Sequence, residues 1–241
     1  MKTQNKNLEI KTFDEITEGK GYSEATEENY RDLLQHLLSD IKNKPKMRVL
    51  DVGCGTGGNS IRLAKLSYSI TGIDISSKAI VQAKAKVKQL GLKDIDFCVG
   101  DIENLCYNDN TFDICFCGGV LHHFPDLKRV AEELYRVTKK NGKVLAYDPN
   151  ALHLYVFVVH NIINRAINLQ GFSPNERALK PKELMTVFKT AGFMNFNFDS
   201  YVLSTKKTEW KLIRNLSYTA LDKTFSGLRK GNILTMICEK T

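Results

Sequence analysis

Between residues 48 and 147, short continuous apolar runs alternate with stretches in which apolar residues recur at helical spacing. Runs of this length predict buried strands, and the periodic stretches predict helices. Strands and helices that alternate at this pitch predict a parallel sheet covered on both faces, which is a doubly wound α/β fold. The predicted strands are 48–52, 69–74, 95–99, 112–117 and 143–147, and the predicted helices are 57–66, 77–90 and 126–139.

The pattern differs on either side of this region. Before it, leucines at helical spacing predict a helix over 25–43. After Asn150 the alternation stops, and we expect a core domain over 47–241 that carries cap insertions at about 151–180 and 205–230. The predicted elements there are an apolar helical insert at 151–169, a loop at 171–181, a helix at 181–191, a strand at 193–203, a helical stretch at 207–225 and a closing strand at 232–239.

Composition adds the class of protein and its compartment. Apolar residues make up 42% of the 241 residues and charged residues 26%, which is typical of a globular protein and not of a disordered one. The first ten residues lack the apolar core of a signal peptide, and no run approaches the roughly 18 apolar residues of a spanning helix. We therefore expect a cytoplasmic protein with no stable membrane insertion.

Charge and cysteine content change this picture little. The net charge of +8 could indicate an anionic partner, but the lysines are spread along the chain, as on a solvated surface. The spacing of the six cysteines matches neither a disulfide framework nor a zinc site. The sequence therefore predicts no metal site, and we interpret the thiols as small buried apolar groups.

The strongest chemical signal is a glycine-rich turn between the first predicted strand and the helix that follows it. Glycines at such a turn let the backbone approach a ligand and direct its N–H groups toward it. Gly53, Gly55 and Gly58 match the dinucleotide pattern G-x-G-x-x-G, whereas Gly53, Gly55 and Gly57 match G-x-G-x-G. We expect the turn to bind a cofactor through Gly53, Cys54, Gly55 and Gly57.

Asp51, two residues before the first glycine, favours one class of cofactor. A carboxylate would repel an anionic pyrophosphate, but it would stabilise the sulfonium and ammonium groups of S-adenosylmethionine. The residue favours the sulfonium cofactor without excluding a dinucleotide.

Two further acids follow the next two strands. Asp74 ends the second strand, where it could accept hydrogen bonds from both ribose hydroxyls. Asp101 follows the third strand and could accept from the exocyclic amine of adenine, with Ile75 and Ile102 on either side of the base. Each acid could instead be a helix cap or a turn residue. Three acids at three successive strand ends make a nucleoside site the better interpretation.

With these segments the chain resembles the class I methyltransferases, in particular the small-molecule enzymes similar to ubiquinone and menaquinone methyltransferases. The resemblance covers roughly residues 47–150. It rests on D-V-G-C-G-T-G-G (51–58), G-I-D-I-S (72–76), G-D-I-E-N-L (100–105), F-D-I-C-F-C-G-G-V-L-H-H (112–123) and R-V-T-K-K-N-G-K-V-L (136–145).

The resemblance implies a Rossmann-like sheet of seven strands in which the last strand runs antiparallel, and S-adenosylmethionine as cofactor. It implies that residues 1–46, which include Tyr22, form a helical lid segment over that cofactor. It disfavours nucleic acid as substrate, because the chain has Cys117-Gly118-Gly119-Val120 where amine-methylating enzymes of bases carry a Pro-Pro motif. The residues it implies at the cofactor are Asp51, Gly53, Gly55, Asp74, Asp101 and the Cys117-Gly118 backbone.

His122 and His123, directly after the fourth strand, are the candidate catalytic residues. They would lie at the carboxyl edge of the sheet beside the expected methyl position. The unperturbed pKa of histidine, about 6.5, suits proton removal at neutral pH. Both could instead be structural residues that hydrogen-bond the loop.

The apolar insert and the stretch with Trp210 are the candidate acceptor pocket. Their apolar density also fits cap packing, a homodimer interface or contact with a membrane surface. We expect a small-molecule acceptor that is methylated on oxygen, with nitrogen second. A nicotinamide-dependent oxidoreductase on the same glycine turn and a non-catalytic S-adenosylmethionine-binding module remain alternatives.

Overall fold

The structure, a computed structural model, describes residues 6–19, 27–39, 41, 46–167, 173, 175–203 and 231–241. The helices are α1 (Lys6–Gly19), α2 (Glu27–Leu38), α3 (Gly58–Ala64), α4 (Ser77–Gln89), α5 (Lys128–Val137), α6 (Leu154–Val158), α7 (Asn164–Ile167) and α8 (Pro181–Ala191). The strands are β1 (Arg48–Val52), β2 (Ser69–Asp74), β3 (Ile95–Val99), β4 (Phe112–Gly118), β5 (Thr138–Pro149), β6 (Met194–Tyr201) and β7 (Ile233–Glu239).

All seven strands form one sheet in the order β3-β2-β1-β4-β5-β7-β6. The pairs among β1 to β5 are parallel, and β7 runs antiparallel to both β5 and β6. The predicted doubly wound sheet with an antiparallel last strand is confirmed. Strand order reverses between β1 and β4, and ligands of such sheets bind at the carboxyl ends of the strands beside this point.

The core lies on both faces of the sheet, which explains why the strands read as continuous apolar runs. Leu50 of β1 belongs to a cluster with residues of α5 and α8, while its neighbour Val49 belongs to a second cluster with residues of α2 and α3. Successive side chains of a strand point to opposite faces, so a strand buried on both faces has no polar alternation. The carboxyl ends of β1 and β4, in the middle of the sheet, therefore support the loops that follow these strands.

Several elements differ from the sequence-based predictions. Within the predicted helical lid segment 1–46, only the helix at 25–43 was placed from the sequence, whereas the structure has a further helix, α1, at Lys6–Gly19. Helix α5 ends at Val137, two residues before the predicted end, because Thr138 is extended and pairs with Phe112 to begin β5. The predicted insert 151–169 is helical from Leu154 to Ile167 and contains a π-helical turn at 159–163.

Three predictions fall wholly or partly beyond the residues that the structure describes. Tyr22, the helical stretch 207–225 with Trp210, and the second cap insertion at 205–230 lie outside them. In the ranges that are described, no helix has both the length and the apolar character needed to cross a membrane.

Candidate active site

A cavity with an empty volume of about 710 Å³ opens at the carboxyl ends of β1 and β2, next to the loop after β4. Its walls come from four parts of the chain: the glycine turn, the ends of β2 and β3, the segment 119–124, and α1. Six of the predicted cofactor residues line it, namely Gly53, Gly55, Asp74, Ile75, Asp101 and Ile102. His123 lines it as well.

Gly53 shows why the turn after β1 requires glycine. Its φ of +68° lies in the left-handed region, and a Cβ on this residue would stand 2.4 Å from Cγ2 of Val120. The N–H groups of Gly53 and Cys54 both donate to the carbonyl of Ile73, which ties the turn to β2. A residue with a side chain could therefore take this position only if Val120 moved and the backbone were strained.

Asp74 is held in place by the same turn. Its Oδ2 accepts from the Gly55 N–H at 2.8 Å, and its Oδ1 accepts from the Ser76 N–H at 2.9 Å. Burial raises the pKa of this carboxyl, and its hydrogen bonds oppose the rise. The two backbone N–H groups fix the orientation of the carboxylate at the end of β2.

Asp101 has an ion-pair partner that was not predicted from the sequence. Its Oδ1 accepts from the Glu103 N–H at 2.9 Å. Its other oxygen forms an ion pair with Lys6 of α1, which also lies 2.6 Å from Oε2 of Glu103. The side chain predicted to recognise adenine is therefore linked to the N-terminal helix.

Asp51 is buried behind the glycine turn and does not line the cavity. Its Oδ2 accepts from the Ser60 hydroxyl of α3 at 2.5 Å. Burial raises the pKa of this carboxyl to about 7, the Ser60 hydrogen bond opposes the rise, and the nearby Asp74 adds to it. Any effect of Asp51 on a bound cation acts through the turn and not by contact across the cavity.

The remaining predicted cofactor residues also lie away from the cavity wall. The Cys54 side chain packs against α4 and Phe97, and Gly57 caps α3 in a left-handed conformation. Cys117 is buried in the sheet. The wall beyond β4 is formed by Gly119 and Val120, which follow the predicted Cys117-Gly118 pair directly.

Helix α1 forms the outer wall of the cavity. Phe13 and Thr17 line it, and the Phe13 ring meets the His123 ring edge-on with centroids 5.0 Å apart. The helix is anchored by a 2.6 Å hydrogen bond from the Ser76 hydroxyl to Asp14. The sequence analysis missed these residues, although the apolar spacing from Ile10 to Phe13 and Thr17 could have indicated a helical face.

The two candidate histidines lie on a 3-10 turn, Leu121–His123, and have different surroundings. His123 lines the cavity, and its Nδ1 lies 2.8 Å from the Ser173 hydroxyl. His122 does not line the cavity, and its Nδ1 lies 2.8 Å from Oδ1 of Asp148 at the end of β5. The two rings are 4.0 Å apart between centroids. Burial lowers the pKa of both imidazoles, that of His122 to about 4.

Polar residues from distant segments of the chain surround the histidines. Glu176 lies 3.8 Å from Nε2 of His122 and 3.3 Å from Nδ1 of His160. Burial raises its pKa, but the His160 hydrogen bond and the nearby imidazoles outweigh this effect and lower it. Glu9 of α1 accepts from the Asn175 side chain at 2.8 Å and is also hydrogen-bonded to Ser173. Glu9 and Asn175 are 166 residues apart, and contacts across such separations could not be predicted from the sequence.

Comparisons with known proteins agree with this geometry. The methyltransferase domain family matches residues 43–192, more than half of the chain. The chain belongs to this family. It is therefore an S-adenosylmethionine-dependent methyltransferase, and this decides between the two cofactor classes that the glycine turn left open.

Individual relatives differ in how much of their length the chain spans. The demethylmenaquinone methyltransferase of Oceanobacillus iheyensis is 31% identical over 170 residues, which are 63% of this chain and 71% of that protein. The sterol 4-C-methyltransferase of Caenorhabditis elegans is 28% identical over 123 residues, which are 51% of this chain but only 37% of that protein. The phosphoethanolamine N-methyltransferase 2 of Haemonchus contortus, solved with S-adenosylmethionine, shares the fold, with a TM-score of 0.68 and 17% identity, covering 96% of this chain and 56% of that one.

Proposed function

We propose that this methyltransferase acts on the hydroxyl oxygen of a small, largely apolar molecule, with His123 as the residue that contacts the hydroxyl. The observation that carries the proposal is that His123 lines one cavity with Gly53 and Asp74, which are predicted to bind the cofactor. The apolar side chains of Phe13, Val120 and Phe124 line it too. The name of the Oceanobacillus relative, a demethylmenaquinone methyltransferase, also supports a small apolar acceptor.

The residues of β1 to β3 would hold the cofactor. The glycine turn would lie beside its polar end, and Asp74 would accept from its ribose hydroxyls. Ile75, Asp101 and Ile102 would surround the adenine. When bound, S-adenosylmethionine supplies an electrophilic methyl group, so the protein mainly has to align the acceptor and exclude water.

His123 would accept the hydrogen bond and then the proton of the acceptor hydroxyl. Ser173 faces its Nδ1, and Glu9 contacts Ser173, so the ring is held from the side away from the cavity. His122, fixed by Asp148, supports the ring from beside it. A positioned base of this kind contributes about 10²–10⁴-fold to a rate.

We prefer oxygen to nitrogen as the methylated atom because the two kinds of acceptor lose their proton at different stages of the reaction. A neutral amine attacks through its lone pair and can lose its proton afterwards, whereas a hydroxyl becomes a good nucleophile only as its proton leaves. An imidazole at the acceptor end of the cavity is therefore more useful to a hydroxyl acceptor.

The test uses S-adenosylmethionine labelled in the methyl group and pairs of acceptors that share one aromatic skeleton, such as a naphthol and the corresponding naphthylamine. We expect label in the naphthol product. The substitution His123→Gln should lower kcat by about 10²–10⁴-fold while the affinity for S-adenosylhomocysteine stays unchanged. His36→Gln, on the exposed side of α2, is the matched control and should keep the parent rate.

Preferential labelling of the amine, or a parent-like rate for His123→Gln, would refute the proposal. Binding of S-adenosylhomocysteine with no transfer to any acceptor in a broad screen would instead favour a non-catalytic binding module.

A further inference from the structure

The histidine pair also belongs to a cluster of side chains that does not depend on the cofactor. Within the described part of the chain, His122, His123 and Glu176 form one group whose ligand atoms all lie within 4.8 Å of one another. Two imidazoles and one carboxylate that converge in this way form a donor set that transition metals use. The cysteines, which the sequence analysis considered as metal ligands, take no part in it.

The distances are close to those of a coordination sphere. Nε2 of His122 and Oε1 of Glu176 are 3.8 Å apart. Two ligands about 2.1 Å from one ion are separated by roughly 3 to 4 Å, depending on the angle between them. A side-chain adjustment of less than about 1 Å would bring the widest pair of the group into this range.

One nitrogen of each ring has a partner that would fix the orientation of the ring while the other nitrogen binds an ion. Nδ1 of His122 lies 2.8 Å from the buried carboxylate of Asp148, and Nδ1 of His123 lies 2.8 Å from the Ser173 hydroxyl. In metal sites the second ring nitrogen of a histidine ligand almost always has such a partner, which fixes the ring and raises its basicity. Glu176 is itself held by the Ser173 N–H, which donates to its Oε2 at 3.1 Å.

The chemistry of the group selects the class of ion. Mg²⁺ and Ca²⁺ prefer oxygen ligands, whereas imidazole suits first-row transition metals such as Zn²⁺. Three protein ligands would leave at least one position open, and His123 places that position next to the cofactor cavity.

We propose that His122, His123 and Glu176 bind one divalent transition-metal ion of the Zn²⁺ class, and that this ion inhibits methyl transfer. Inhibition rests on the proposed function, since a His123 imidazole bound to metal can no longer accept a proton from the acceptor. Binding of the ion does not depend on the reaction.

The binding test is a titration of the metal-free protein with Co²⁺, followed by its visible absorption. We expect one equivalent to bind, with d–d bands of a nitrogen and oxygen environment and no thiolate charge-transfer band in the near ultraviolet. Glu176→Gln should weaken Co²⁺ binding at least about 10-fold, and Asp148→Asn should weaken it by about 10–100-fold. His36→Gln removes a surface histidine that contacts Asp199 and should bind Co²⁺ like the parent.

S-adenosylhomocysteine binding serves as the folding check for each variant, because its site is at the other end of the cavity. No Co²⁺ binding by the parent, thiolate bands, or parent-like affinity in a folded Glu176→Gln variant would overturn the site. In the transfer assay, Zn²⁺ should inhibit the parent over the concentration range in which it binds. Full activity with Zn²⁺ bound would overturn the inhibition. Failure of the proposed function would appear elsewhere, as a parent-like rate for His123→Gln.

Discussion

The two ends of the cavity are built in different ways. At the proposed cofactor end, Gly53, Asp74 and Asp101 each lie at the carboxyl end of a parallel strand, and their positions follow from the sheet. At the proposed acceptor end, His123 is joined by Phe13 from α1 and by Ser173 from the segment after the insert. One end is a property of the strand order, while the other is an assembly of segments far apart in sequence.

This difference indicates where substitutions should act separately. A change at the strand ends should alter cofactor affinity, with acceptor chemistry affected only through it. A change around His123 should alter turnover and leave cofactor affinity close to that of the parent. Variants that alter both properties together would show that the two ends are coupled, for example through α1, which touches Asp101 at one end and His123 at the other.

The largest effect is expected for Gly53→Ala. The new Cβ would lie 2.4 Å from Val120, and the left-handed φ adds strain. Overpacking costs about 1–3 kcal/mol and the left-handed conformation about 1–2 kcal/mol, so the free energy of unfolding should fall by about 2–5 kcal/mol. Chemical denaturation measures this loss, and calorimetry should show weakened binding of S-adenosylhomocysteine.

Gly55→Ala is the matched control for that substitution. Its φ is also positive, at +51°, but a Cβ there would meet no atom within 4 Å. We expect only the backbone cost of about 1–2 kcal/mol. Equal losses in the two variants would show that contact with Val120 is not what requires glycine at residue 53.

Asp74→Asn should come next, with its main effect on cofactor affinity. Hydrogen bonds to a charged group are worth about 1.5–3 kcal/mol, so S-adenosylhomocysteine should bind about 10- to 150-fold more weakly. Asp96→Asn, at an exposed position of the adjacent β3, is the control and should bind like the parent. An unchanged affinity in Asp74→Asn would remove this residue from the cofactor site.

Glu9→Gln tests the end of the cavity near His123. The buried Glu9 carboxylate contacts Asn175 and Ser173, and through Ser173 it reaches His123. Loss of one net hydrogen bond of about 0.5–1.5 kcal/mol should lower kcat about 2- to 10-fold without weakening S-adenosylhomocysteine binding.

The exposed Glu15 lies on the same helix, so Glu15→Gln tests whether the charge of α1 alone matters. A parallel loss of cofactor affinity in Glu9→Gln would show that this residue acts by holding α1 in place rather than by orienting His123.

The smallest effect is expected from the pH dependence that Asp51 confers. Its pKa is raised to about 7 by burial, and a bound sulfonium would favour the ionised form. The free protein would then carry more protons near pH 7 than the complex, so affinity for S-adenosylmethionine should rise with pH between 6 and 8. A charge acting through the turn should change affinity by only about 2- to 3-fold.

Asp51→Asn should abolish this pH dependence. S-adenosylhomocysteine, which lacks the sulfonium charge, should show less of it even with the parent protein. Calorimetry at three pH values measures both, and an equal dependence for the two ligands would contradict a link between Asp51 and the sulfonium.

The sequence by itself determined the sheet and the residues at the carboxyl ends of its first three strands. Strands β1, β2 and β3 were predicted with the bounds that the structure shows, because strands buried on both faces are continuous apolar runs. The positions of glycines and acids at the ends of such strands can be predicted without knowledge of distant contacts, because parallel strands place their carboxyl ends at one edge of the sheet.

Only the tertiary structure decided the acceptor end. It placed α1 over the cavity, gave His122 and His123 different surroundings, and brought Glu9 and Glu176 close to the histidines. It also buried Asp51 against Ser60, where the sequence analysis expected a charge facing the cofactor. These features depend on contacts between segments far apart along the chain, and local periodicity carries no information about such contacts.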